Sequence, residues 1–89
     1  MNDRVARIEA ALRTAFSPLR LEVVDESHKH VGHAGARDGR GHFAVHIVAP
    51  AFVGMAPLAR HRAVYAALGE MMREDIHALS IQAEPPAAS

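Results

Sequence analysis

"HFAVHIVAPAFVGMAPLARHRAVYAALGEMMREDIHALSIQAE", residues 42–84, changes its hydrophobic period twice, and those changes decide the fold. Phe43, Val45 and Ile47 alternate with His42, Ala44 and His46, the period of a strand with one dry face. Pro50 closes that strand, since proline cannot donate to a ladder. Pro57 suits the first turn of a helix, and Leu58, His61, Val64, Tyr65, Leu68, Met71 and Met72 recur at helical spacing, which predicts a helix reaching about Arg73. "IHALSIQAE" alternates again, with His77, Leu79 and Ile81 sharing one side, before Pro85 and Pro86 release a frayed tail over about residues 85–89. Strand, helix and strand in succession call for a right-handed crossover. The third strand should therefore run parallel to the second, with the helix across one face.

Upstream, "LRLEVV", residues 19–24, sets Leu19, Leu21 and Val23 against Arg20 and Glu22 and ends near Asp25. It should pair antiparallel with the second strand. From Asp3, a plausible N-cap, Val5, Ile8, Leu12, Ala15 and Phe16 carry a helical stripe that Ser17 and Pro18 stop. Both helices then cover the same side of a three-stranded mixed sheet, giving an α+β sandwich of two layers. The 89 residues fit one domain. Between the first two strands, "HKHVGHAGARDGRG", residues 28–41, has four glycines and no period, a loop longer than a tight hairpin needs.

Ten basic residues balance ten acidic ones, so no global field exists to hold a phosphate backbone or an anionic membrane. Cysteine is absent, which removes disulfides and any cluster held by this chain's own sulfur. No signal-like or membrane-spanning run occurs, and Lys29 is the single lysine in an alanine-rich, arginine-rich chain. These features read as a soluble cytoplasmic protein of a bacterium.

Histidine carries most of the candidate chemistry. His28, His30 and His33 crowd the loop, where neutral imidazoles suit borderline metals, but their spacing matches no closed zinc site and serves a solvated polar loop equally well. His42 and His46 read as exposed strand residues rather than ligands. His61 lies on the apolar stripe, so a core histidine bonded to a backbone carbonyl is expected. Arg60 and Arg62 diverge to different flanks of the helix, placed to grip a carboxylate or phosphate or simply to solvate it. His77 begins the last strand at the rim, a position open to a ligand or a structural role. No serine, acid and base grouping marks a catalytic centre, and "GARDGRG" lacks the setting of a phosphate loop, so no enzyme is expected.

"LEVVDESHKHVGHAG", then "HFAVHIVAPAFVG", then "RHRAVYAALGEMM" and "IHALSI" together resemble the BolA family over residues 19–81, in family order and with family-like separations. The resemblance implies a fold similar to a type II KH-like domain. It also implies partnership with a monothiol glutaredoxin through a bridging [2Fe-2S] cluster, in iron–sulfur trafficking and iron regulation. The family's cluster-ligand histidine maps onto His77. Its second ligand comes from the first long loop, as cysteine in one subtype and histidine in another; without cysteine, this chain is similar to the histidine type, with His30 first, His33 next and His28 third. A glutaredoxin cysteine and glutathione would supply the thiolates, giving mixed ligation of the Rieske kind. The isolated chain would hold no cluster, and would be a monomer or a weak homodimer.

The alternative implied by the resemblance is a DNA-binding transcriptional regulator. Arg60, Arg62 and the "FVGM" turn would then meet the backbone, against a zero net charge, four aromatics and no GxxG clamp. A free-standing zinc or copper binder using the loop histidines is a third expectation.

Overall fold

The computed structural model describes residues 3–27 and 40–87. Helix α1 (Arg4–Phe16) leads into β1 (Arg20–Asp25), and β2 (Gly41–Val48) is followed by a single 3-10 turn, Pro50–Phe52. Helix α2 (Pro57–Leu68), the short α3 (Met71–Glu74) and β3 (Ile76–Glu84) complete the order. The sheet order is β1-β2-β3, with β1 antiparallel and β3 parallel to β2, as the change of period requires. No described helix is long and apolar enough to cross a membrane.

One face of β2 carries the core. Phe43, Val45 and Ile47 are buried together with Ile8 and Leu12 of α1 and Val64 and Leu68 of α2, so both helices cover that face. Phe16 closes the far end of α1 against Phe52, with ring centroids 4.9 Å apart. Alternation fixes the register, because a slip by one residue would turn Phe43, Val45 and Ile47 out to water. The opposite face stays open, with Arg20, Glu22, Ser80 and Gln82 exposed and His42, Ala44, His46 and Val48 half-buried.

Helix α1 starts at Asp3, whose backbone carbonyl accepts the Arg7 N–H at 3.0 Å. Its carboxylate meets the Arg7 side chain at 3.4 Å instead of capping the backbone. Ser17 ends the helix in the left-handed region at φ 46°, a conformation costing about 1 kcal/mol or more outside glycine. Ala15 and Leu19 lie outside the core; Leu19 precedes β1 and is 69% exposed.

Three expectations need correction. The long helix does not continue to Arg73: it stops at Leu68, because Gly69 takes φ 54° and donates to the Tyr65 carbonyl at 3.0 Å, a glycine stop that separates α3. The stripe is also rotated. Leu58 is 60% and Tyr65 42% exposed, while Arg60 turns inward, its Nε donating to the Met55 carbonyl at 2.9 Å and one Nη to the Ala83 carbonyl at 3.2 Å. Those carbonyls need donors, and meeting them draws the arginine under the helix. His61 accordingly sits half-buried on the flank, outside the buried core in which it was expected.

The third correction concerns β3. Gly41 pairs with Ile76, but His42 pairs with Ala78, so β3 carries one extra residue at its start. That residue is His77. Ile76 therefore faces the core and Leu79 does so again opposite Phe43, while His77 leaves the side it was expected to share with Leu79 and Ile81.

Candidate functional site at the rim of the sheet

Backbone pairing brings the two ends of the loop to one rim. The Ser27 N–H donates to Asp25 Oδ1 at 2.9 Å, and Ser27 Oγ accepts the His42 N–H at 3.0 Å. The Glu26 N–H reaches the His42 carbonyl at 2.7 Å, and the Gly41 N–H the Asp75 carbonyl at 2.9 Å. Glycine is required at 41, since a Cβ there would stand 2.7 Å from both the Phe43 ring and Ser27 Oγ. The chain therefore leaves the described structure after Ser27 and returns at Arg40 beside the start of β3. His28, His30 and His33 lie outside the described residues.

His77 stands at this rim. A bulge re-aims a side chain, and here it leaves His77 exposed, its ring centroid 5.1 Å from that of His42 at a tilt of 49°. Arg40 lies against it: one Nη is 3.2 Å from His77 Nδ1, and the other is 3.4 Å from the Arg73 carbonyl at the end of α3. Arginine has only donors, so Nδ1 accepts and the neutral ring carries its proton on Nε2.

Beneath the rim, Asp75 anchors α1 to the base of β3. Arg7 donates to its Oδ1 at 2.7 Å, and Arg4 Nε lies at 3.5 Å. The Arg7 hydrogen bond, aided by the charges of Arg7 and Arg4, holds the Asp75 carboxyl below the usual carboxylate range against the opposing cost of burial. The Asp75 hydrogen bond likewise raises the Arg7 guanidinium above its ordinary value.

The other candidate residues are scattered. His46 is at mid-sheet, its Nε2 3.6 Å from Glu84 Oε2. A 2.6 Å hydrogen bond from Gln82, opposed by desolvation and aided by His46, lowers the Glu84 carboxyl below its ordinary value. Arg62 is exposed on α2, two residues beyond the inward-facing Arg60 and so on another side of the helix. Among the described residues, no three histidine, aspartate or glutamate side chains gather to hold a metal ion. The structure thus brings together His77, His42 and the loop's two anchors, and leaves His61, Arg60 and Arg62 apart from them. Arg40 was missed in the sequence, where it lies between Gly39 and Gly41. Its signal was position, one residue before β2 and beside the strand that begins at Ile76.

Such a rim can offer an accessible imidazole to a metal centre completed by other donors. Histidine suits a mixed nitrogen and sulfur set, whereas a complete iron–sulfur site would need thiolates that this sequence lacks. The donors present fit a shared site and not a self-contained one.

A family model described as BolA-like protein matches residues 12–88. SufE-like protein 1 of Arabidopsis thaliana is 40% identical over 92 residues, covering 98% of this chain but 25% of that protein. The solved BolA domain of SufE1 from the same plant matches at a TM-score of 0.84 and 38% identity, over 97% of this chain and 95% of that one. The DNA-binding transcriptional regulator BolA of Escherichia coli strain K12 is 45% identical over 75 residues, 84% of this chain and 69% of that one. Human BolA-like protein 1 is 45% identical over 87 residues, and the match covers 93% of this chain and 61% of the human protein. On the family match and these identities, the chain belongs to the BolA-like family.

Proposed function

We propose that this protein is a cytoplasmic partner of a monothiol glutaredoxin in a bacterium, sharing a bridging [2Fe-2S] cluster during iron–sulfur trafficking and iron regulation. The carrying observation is His77, exposed by a bulge at the rim where the loop bearing His30 and His33 is anchored. His77 supplies one nitrogen donor. His30 supplies the second, with His33 next in order and His28 after it. The glutaredoxin cysteine and glutathione bring the thiolates, and the cluster supplies electron-transfer chemistry whose potential imidazole ligation raises. Within this chain the work is positional: Asp75 and its two arginines fix the base of β3, and the bulge directs the imidazole outward.

Reconstitution tests this. The protein is mixed with a monothiol glutaredoxin, glutathione, iron and sulfide, and the visible absorption and circular dichroism are compared with those of each protein alone. A new mixed-ligand spectrum is expected only with both proteins present. A stable cluster on the isolated chain would refute the reading.

A second reading, DNA binding, draws on the Escherichia coli relative, a DNA-binding transcriptional regulator. Its support within this chain is thin, because Arg60 spends two of its N–H donors on backbone carbonyls and leaves Arg62 as the exposed member of that pair. Affinity that falls steeply with salt would be its signature.

A further inference from the structure

We infer that Arg40 is a positioning residue that latches His77 in the resting protein and must release it before His77 can act as a ligand. This rests on the proposed role of His77. Arg40 donates to Nδ1 at 3.2 Å and is held from its other side by the Arg73 carbonyl at 3.4 Å. Its backbone is fixed in turn, because the next residue, Gly41, is packed against Phe43 and donates to the Asp75 carbonyl at 2.9 Å.

The consequence follows from the hydrogen count of an imidazole. A neutral ring has one proton and one lone pair, and a guanidinium can meet only the lone pair. While Arg40 is in place, the lone pair is at Nδ1 and is occupied; Nε2 carries the proton and has nothing to donate to a metal. Ligation through Nδ1 requires Arg40 to leave. Ligation through Nε2 requires the proton to move to Nδ1, where it would point at the Arg40 N–H, so Arg40 must leave again. Either route breaks the same contact.

The test has two arms. In the first, nitrogen-15 two-bond correlation spectra of the isolated protein are recorded at pH about 8, above the imidazole range. Wild-type His77 is expected almost wholly as the Nε2–H tautomer. Arg40→Ala should move it toward the mixture of a free imidazole, and Arg40→Lys, which keeps a donor, should restore part of the bias. In the second arm, each variant is titrated into glutaredoxin carrying the cluster with glutathione. Arg40→Ala should reach half-conversion to the mixed spectrum at about 2- to 10-fold lower concentration, the range set by losing one charge-assisted bond that is partly screened by water. An unmoved tautomer overturns the latch alone, provided His77→Ala abolishes the mixed spectrum. Weaker conversion by Arg40→Ala also overturns it, since Arg40 would then be assisting. If His77→Ala converts as wild type does, the latch and the proposed ligand fail together.

Discussion

Arg60 and Arg40 occupy opposite ends of the same sheet. Arg60 is tucked beneath α2 and joins the turn at Met55 to the last residues of β3 through two backbone carbonyls. Arg40 is half-buried beside the start of β3, and one of its contacts is a side chain with chemistry of its own, His77. The first arginine satisfies groups that would otherwise lack donors, so its value is stability. The second holds an imidazole that folding does not need. Between them the sheet is divided into an end that is finished by its own backbone and an end where an imidazole, His77, stands exposed.

The largest stability effect should come from the open end's foundation, not its exposed residues. Gly41→Ala forces a Cβ to within 2.7 Å of the Phe43 ring and Ser27 Oγ, and Phe43 is buried. We expect a loss of about 1–3 kcal/mol in denaturant unfolding. A cost near zero would mean that the loop's ends are not pinned there.

Arg60→Ala should follow, at about 1–2 kcal/mol, from two part-buried carbonyls left without their donors. Arg40→Ala should stay within about 0.5 kcal/mol of wild type, since its hydrogen bonds to His77 and the Arg73 carbonyl are exposed. Equal losses for the two arginines would erase the contrast on which this account depends.

Asp75→Asn should cost about 0.5–1 kcal/mol at neutral pH, the scale of a partly exposed ion pair. The sign follows from its depressed carboxyl: the stabilisation is present above the unfolded value near 3.9 and is lost as pH falls through the lower folded value. Wild type and Asp75→Asn should therefore converge in acid. A gap that persisted at the lowest pH would assign the loss to packing.

The strands were legible because alternation is a local signal. Phe43, Val45 and Ile47 declared both the strand and its buried face. The break at Gly69 was written as a glycine, but the apolar run through Met71 and Met72 masked it. Arg60 could not be read inward, because the Ala83 carbonyl that holds it is brought close only by the fold. His77 was found by its place at the head of β3, yet its direction was not, since counting by twos assumes a ladder without a bulge. Arg40 was hidden for a similar reason: its partner is 37 residues away, in a strand that is parallel and adjacent only after the crossover forms.

The smallest effect on stability should accompany the largest on function. His77→Ala removes an exposed ring and should alter unfolding by less than about 0.5 kcal/mol. The decisive measurement is pulsed electron paramagnetic resonance on the reduced cluster formed with a monothiol glutaredoxin and glutathione, using protein labelled at histidine with nitrogen-15. Two strongly coupled imidazole nitrogens from this chain are expected in wild type, and His77→Ala should lose at least one of them while remaining folded. An unchanged pair of nitrogen couplings in His77→Ala, or none in wild type, would contradict the assignment of this rim as a cluster-sharing site.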